Sequence, residues 1–319
     1  MTNRLLVLLS GEKTSLPEAE AKALILTYDP KATFSMPEAR VLIARTSAGP
    51  ERVAGRVAFA RRVGVLLSDP ADASDAVKGR RIRLRSFSVA DTPTERPAAA
   101  SVLRGLDAEV DLEDPDYEFS LVIGRDQYLA LSSPRVMNQS WASRRPRKRP
   151  FFHPSAIFPK LSRALVNLTR CQEGEVLLDP FVGTGSIPIE ASEVGLVPVA
   201  IDRSKRMAEG ALSNMIALGQ SWLGIIRADA FSLPLIKVDG VATDVPYGRA
   251  SSTGGVTTRA VVDFAMESLP ALLDHGRRLV VMHPSHTRLE SSSELRVEEE
   301  HYIYIHSKLT RAITILRKT

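Results

Sequence analysis

LLDPFVGTGSIPIE, residues 177–190, is the stretch on which the reading of this chain turns. An apolar run ends on the carboxylate of Asp179, a glycine-rich turn follows, and a helix opens near Ser186. Gly183 and Gly185 let the backbone turn tightly and pass close to a ligand that a Cβ would hold off. A triphosphate loop needs Lys followed by Ser or Thr directly after its last glycine, and after Gly185 stand Ser186, Ile187 and Pro188 instead. A dinucleotide site prefers a third glycine, and position 188 is that same proline. S-adenosylmethionine needs no phosphate cradle, and a carboxylate at Asp179 suits its cationic methionine portion. The same residues also fit a tight strand–helix turn that binds nothing.

The pattern around this turn is α/β. IFPKLSRALVNLTR (157–170) is an amphipathic helix, EVLLDP (175–180) a strand, and a helix runs from Ser186. VPVAID (197–202) follows, then a helix near 204–218, LGIIRADA (223–230), VDGVATD (238–244), a helix near 256–274 and RRLVVMHP (277–284). Strands alternating with helices of this length predict βαβ units and a largely parallel sheet. HYIYIHSKLTRAITILR (301–317) reads instead as two strands joined by a short turn.

Upstream the pattern is mixed. RLLVLL (4–9) and ARVLIART (39–46) read as strands, and LPEAEAKALILT (16–27) as a helix with Pro17 in its first turn. AGRVAFARRVGVLLS (54–68) is either a helix running into a strand or two strands. RRIRLRSFSV (80–89) alternates charged and apolar residues, and YEFSLVIG and QYLALSS flank Arg125 and Asp126 as a hairpin. The first 132 residues are thus expected to form an α+β region, and residues 133–150, rich in Pro and Arg, a basic linker to a domain over 151–319.

Further acids sit at strand ends. Asp202 closes its strand 23 positions after Asp179, where an acid can accept ribose hydroxyls, or can cap the next helix as Ser204 equally can. Asp229 follows the third strand, placed for an adenine amine or for a solvated loop. TDVPYG (243–248) leaves the fourth. An exocyclic amine of a nucleobase is a poor nucleophile because its lone pair is delocalised into the ring. Acceptors on its N–H groups favour the pyramidal nitrogen and offset the charge that alkylation creates. Asp244 and the Val245 carbonyl are placed to supply them; Pro246 stiffens the turn, and Tyr247 offers a ring on which an extruded base can stack.

Composition narrows the classes. The chain has 319 residues, 44% hydrophobic and 25% charged, with a formal charge of +5. Its pI is near 9.4, which favours polyanionic partners. A single cysteine, Cys171, excludes an internal disulfide framework and a cysteine-based zinc cluster, and it reads as structural filler in a reducing, cytoplasmic setting. No run approaches the roughly 18 apolar residues of a membrane span. His275, His283, His286 and His301 have no carboxylate or thiolate partners at ligand spacing, so no metal site is expected. Arg61, Arg62, Arg80, Arg81, Arg83 and Arg85 form one basic cluster, and Arg144, Arg145, Arg147, Lys148 and Arg149 another. A charge run is usually a solvated face, and these fit phosphate contact as well.

DPFVGTG followed by DVPYG resembles the amino methyltransferases, whose second motif is Asp or Asn, Pro, Pro and an aromatic residue. With RPFFHPSAIFPKLSRALVNLTR (149–170) upstream and HSKLTRAITILRK (306–318) at the end, the chain resembles the archaeal tRNA guanine-10 N2-methyltransferases. That resemblance is closest over 150–319; AFARRVGVLL and FSLVIG carry it in the first half. It implies a ferredoxin-like segment and a THUMP RNA-binding domain joined to a class I methyltransferase domain with a seven-stranded sheet. It further implies S-adenosylmethionine as cofactor and methylation, often dimethylation, of guanine N2 in tRNA. Phe152, His153 and Pro159 would line the cofactor pocket with Asp179, Phe181, Gly183, Thr184, Gly185, Asp202, Arg203, Asp229 and Ala230. A small zinc-binding activator protein is a further implied partner, and a monomer the expected state. Val245 departs from the family pattern by replacing the first proline. Transfer to rRNA guanine or to adenine N6, a non-catalytic RNA-binding module and a nicotinamide dehydrogenase are the competing readings.

Overall fold

In the computed structural model, residues 3–89, 99–132, 140–232, 237–246, 257–306 and 309–319 are described. The chain divides into two units, one of Met1–Lys13 with Pro17–Gln139, the other of Ser140–Thr319 with Thr14–Leu16. Residues 140–150, expected to belong to a linker, are therefore part of the second unit.

The first unit contains β1 (Asn3–Leu9), α1 (Leu16–Tyr28), β2 (Thr33–Glu38), β3 (Val41–Thr46), α2 (Pro50–Arg56) and β4 (Ala60–Leu67). It continues with α3 (Ser74–Val77), β5 (Arg81–Ser88), α4 (Ala99–Val102), β6 (Glu109–Val110), β7 (Tyr117–Ile123) and β8 (Gln127–Ser132). The strands form one eight-stranded sheet in the order β2-β3-β1-β4-β8-β7-β5-β6. The ambiguous stretch 54–68 resolves as the end of a helix followed by a strand. β1 is apolar without alternation because both its faces are buried. Leu5, Val7 and Leu9 pack with Leu24 and Ile25 of α1, and Leu6 and Leu8 pack with Val122 and Ala130 on the other side.

The second unit contains α5 (Pro159–Leu168), β9 (Val176–Asp179), α6 (Ser186–Glu193), β10 (Val197–Asp202), α7 (Lys205–Ala217) and β11 (Gly224–Arg227). β12 (Val238–Asp244), α8 (Thr258–Glu267), β13 (Leu273–Pro284), β14 (Leu295–His306) and β15 (Leu309–Lys318) complete it. Seven strands lie in the order β11-β10-β9-β12-β13-β15-β14. Strands β9 to β13 pair in parallel, and β15 runs antiparallel to both β13 and β14. The helix expected to reach 274 stops at Glu267, because Pro270 cannot continue it and a 3-10 turn at Leu269–Leu272 leads into β13. Central strand β9 has β10 on one side and β12 on the other, so the connections leave it in opposite directions. A crevice opens at such a point, beyond the carboxyl ends of the strands.

Candidate active site

That crevice holds a cavity of about 520 Å³, in the range of roughly 300–1,000 Å³ that small-molecule sites occupy. β9 ends on Asp179, and the turn after it places Gly183 at φ 52° and Gly185 at φ 82°, left-handed values that explain both glycines. A side chain at Gly185 would also press on Ala211 of α7, with Cβ atoms 3.3 Å apart. Asp202 ties the turn to the next strand: its Oδ2 accepts from the Gly183 N–H at 3.1 Å and its Oδ1 from the Ser204 N–H at 2.8 Å. The hydroxyl of Ser204 caps α7, so capping does not depend on Asp202. Asn214 of α7, fully buried, donates to the carbonyls of Phe151 and Thr184, each at 2.9 Å, and accepts from the Phe151 N–H at 2.9 Å. The glycine turn and the segment before α5 are thus held by one side chain.

Two buried acids face this cavity. Asp179 accepts from the Thr243 hydroxyl at 2.8 Å and from the Phe181 N–H at 3.2 Å. Burial nevertheless pushes its carboxyl up to about 7, and the charges of Asp244 and Asp202 add to that. Asp244, the last residue of β12, is pushed up to about 6 by burial, against the opposing charge of Arg311. Arg311 Nη1 donates to Asp244 Oδ2 at 2.8 Å, while Oδ1 is buried with no hydrogen-bond partner among the described residues. Burial also raises Asp202.

Val245 has a physical reason to differ from proline. Its N–H donates to the Met282 carbonyl at 3.0 Å, carrying the β12–β13 ladder one residue past Asp244, and its side chain is packed in the core. Val245→Pro removes that donor and is expected to cost about 1 kcal/mol of stability without raising the rate of turnover. Denaturant unfolding and single-turnover kinetics on the variant check both parts; a faster, equally stable protein contradicts this account of the turn.

Of the residues expected in the cofactor site, His153, Asp179, Phe181, Gly183, Thr184, Asp202, Arg203, Asp229 and Ala230 line the cavity, as do Asp244, Val245 and Pro246, which were expected to hold the amine. Gly185 lies behind them as the residue preceding α6. Phe152 and Pro159 are not in the lining. The Phe152 ring is exposed beneath the guanidinium of Arg147, and Pro159 is buried as the first residue of α5. Tyr247 lies outside the described residues. The lining also includes residues the sequence reading did not single out, among them Arg311, Phe231, Ile305 and Leu309. Phe231 is backed by Phe264, with ring centroids 4.7 Å apart, and offers an aromatic face two residues after Asp229. Arg311 carried a signal in its sequence: a guanidinium just before the buried Ala312 and Ile313 must find an anion.

The family described as "RMKL-like, methyltransferase domain" matches residues 146–313. A tRNA (guanine(10)-N2)-dimethyltransferase of Methanothermobacter thermautotrophicus is 32% identical, covering 98% of this chain and 99% of its own. The chain belongs to the tRNA (guanine-10-N2)-methyltransferase family. A relative of the same name from Pyrococcus abyssi is 28% identical over 82% of this chain and 84% of its own. The crystal structure of TrmN from Thermus thermophilus shares the fold at 19% identity, with a TM-score of 0.52 over 99% of this chain and 100% of that one. Among the described residues, no helix is long and apolar enough to cross a membrane, and no three His, Cys, Asp or Glu side chains are grouped to hold a metal ion.

Within this family member the two basic clusters separate into structural and available residues. Arg144 and Arg149, expected to contact RNA, are buried. Arg144 pairs with Glu190 at 2.8 Å and Glu193 at 3.0 Å, and Arg149 donates to the Ser186 hydroxyl at 2.8 Å. Arg145, Arg147 and Lys148 are exposed. Arg81 is held by Asp111, Asp114 and Asp116, which neutralise it. Arg62, Arg83 and Arg85 converge on the buried Glu118, three guanidiniums on one carboxylate, and Arg61 is exposed beside them. Cys171 is buried; a Cβ at Gly240 would lie 2.4 Å from its sulfur, so its role is packing. His283 is buried against the Thr314 hydroxyl at 2.8 Å, a structural histidine.

Proposed function

We propose that this protein methylates the exocyclic N2 of guanine 10 in tRNA, adding one methyl and then a second, with S-adenosylmethionine as donor. The observation that carries this reading is the Oδ1 atom of Asp244, buried and without a partner among the described residues in a cavity that also presents Asp179 and Asp202. A buried carboxylate oxygen left unsatisfied is costly unless a donor comes to it, and an amine N–H is such a donor. The residues fit the cofactor: Asp179 suits the ammonium, Asp202 the ribose hydroxyls, and Asp229 with Phe231 the adenine. Bound there, S-adenosylmethionine supplies an electrophilic methyl on a sulfonium and departs as the thioether. Asp244 Oδ1 and the Val245 carbonyl accept the two N2–H groups, favouring the pyramidal nitrogen whose lone pair forms the new N–C bond. One N2 proton then leaves through Asp244 to solvent. Tyr247 is read as the stacking face for the extruded base.

RNA phosphates are assigned to Arg61, Arg62, Arg83 and Arg85, where positive charge exceeds negative, and to Arg145, Arg147 and Lys148. The THUMP reading of the N-terminal unit and a cytoplasmic monomer belong to the same proposal. Methylation of one tRNA transcript in vitro, with guanine or adenine at position 10, tests it by nucleoside analysis. N2-methylated guanosine from the first transcript alone is expected; methylation of both, or of neither, overturns the assignment to guanine 10. The same assay with and without a small zinc-binding activator protein shows whether a second partner is needed.

Cofactor affinity carries a pH dependence. With its carboxyl near 7, Asp179 is protonated below that pH in the cofactor-free protein and ionised above it. Only the ionised form attracts an ammonium. Affinity for S-adenosylmethionine is therefore expected to rise about tenfold from pH 6 to pH 8 and then level off, with proton release on binding at pH 6. Calorimetry in buffers of different ionisation enthalpy measures both; a flat affinity with no proton release contradicts the role of Asp179.

A further inference from the structure

Arg311 belongs to neither the glycine-turn motif nor TDVPYG, yet it lies against the one acid on which the amine chemistry depends. It sits on β15, separated from β12 by β13. Asp244 is paired with Met282, and Met282 with Ile313, two residues from Arg311. The Arg311 side chain crosses over Met282, its Nη1 lying 3.8 Å from Met282 Sδ, and reaches Asp244 Oδ2 at 2.8 Å. Both partners are largely buried and both line the cavity. The contact divides the carboxylate: one oxygen is committed to the guanidinium, and the other, Oδ1, has no partner among the described residues.

We propose that Arg311 is the positioning residue of the amine site, holding Asp244 ionised and turned so that Oδ1 is the oxygen left to accept the N2–H. The inference rests on the amine chemistry proposed above. A neutral carboxylic acid at Asp244 would offset charge developing on the nitrogen less than a carboxylate does, and a carboxylate free to rotate would present either oxygen. A charge-assisted hydrogen bond from a guanidinium prevents both. Other groups in the same cavity bear on this ionisation. Asp179, whose charge repels that of Asp244, disfavours a further negative charge, and Asp202, Arg203, Asp229 and His153 share the cavity. His283, next to Met282, is engaged by Thr314 and the Pro284 carbonyl. Among the described residues, Arg311 is the cation in hydrogen-bonding contact with Asp244, so its removal leaves burial less opposed.

The test is the pH profile of single-turnover methyl transfer at saturating cofactor and tRNA, for the wild type, Arg311→Met and Arg311→Lys. The wild type is expected to lose rate only as pH falls towards about 6, the value at which burial and Arg311 together place Asp244. Arg311→Met is expected to move that acid limb up by at least one unit. Its rate relative to wild type should then be at least about threefold lower at pH 6.5 than at pH 9. Arg311→Lys, which keeps the charge, is expected to bring the limb back toward the wild-type position. A loss that is equal at every pH, or a lysine variant no better than methionine, overturns the proposal, since a merely structural role predicts one or both. A second readout needs no RNA: the ¹³Cγ titration of Asp244, assigned through Asp244→Asn, should move up in Arg311→Met. An unchanged titration overturns the pairing itself. An unchanged profile with a moved titration overturns its role in transfer, whereas a wild type inactive on guanine 10 rejects only the substrate assignment.

Discussion

Asp244→Ala is expected to slow methyl transfer by about 10²–10³-fold at saturating tRNA and cofactor, the usual cost of removing one group aimed at charge that develops in a transition state. Of the acids around the cavity, Asp244 combines a buried oxygen without a hydrogen-bond partner among the described residues with a place at the end of β12, where the motif turn leaves the sheet. Asp179 and Asp202 are already engaged by Thr243, the Phe181 N–H, the Gly183 N–H and the Ser204 N–H. Cofactor affinity should change little, because the residues assigned to the methionine, ribose and adenine groups lie at or just beyond the ends of β9, β10 and β11, not on β12. The loss should therefore appear in the single-turnover rate and not in cofactor titration. Asp244→Asn separates charge from shape: the amide still offers an oxygen to an N–H but offsets positive charge on nitrogen less than a carboxylate, so it should be slower than wild type and faster than Asp244→Ala. A variant that transfers methyl at the wild-type rate would falsify the assignment of Asp244 to the amine.

Glu190→Ala is expected to destabilise the second unit by about 3–5 kcal/mol, the range for removing one partner of a buried ion pair. Glu190 is fully buried on α6 and receives Arg144 at 2.8 Å and Arg163 at 2.7 Å, themselves only 5% and 2% exposed. Trp141 lies close to both guanidiniums, at 5.2 and 5.3 Å from its ring. Arg149, which burial pushes down to about 10 against the favourable charge of Glu190, donates to the carbonyl of Arg144 and to the Ser186 hydroxyl. Without Glu190, Glu193 still pairs with Arg144 at 3.0 Å and its charge still favours Arg163, but neither guanidinium keeps its fully buried carboxylate. Because α6 begins at Ser186, directly after the glycine turn, the loss should also weaken cofactor binding at temperatures below the melting transition. Chemical denaturation measures the first effect and calorimetry the second; a cost under about 1 kcal/mol would mean that water reaches these arginines.

The two groups of arginine show why one part of the site was legible and another was not. Arg144 and Arg149 sit in the same run as Arg145, Arg147 and Lys148, and local sequence offers nothing to distinguish them. What separates them is Glu190, more than 40 residues away, which draws Arg144 inward and contributes to the buried group around Arg149. Arg311 and Asp244 are a second case: they are 67 residues apart and meet because β13 lies between their strands. Val245 is a third. Read against the family pattern it is a missing proline, but in the sheet it is an N–H that the Met282 carbonyl uses. Phe152 was misplaced for a related reason, since a ring beside a glycine turn can face the cavity or solvent, and here it faces Arg147.

What the sequence determined by itself is the set of features written in short range. The alternation of apolar runs and helical periods specified a parallel sheet, Gly183 and Gly185 the tight turn, and the acids at or just beyond strand ends the ring around the crevice. Strand ends and turns follow from the steric limits of a few consecutive residues, so a linear reading reaches them. The tertiary structure alone decided which arginines are buried, which oxygen of Asp244 is left open, and which cation holds the other. Those outcomes depend on the order of strands in the sheet and on desolvation by distant segments, and no window of neighbouring residues contains either.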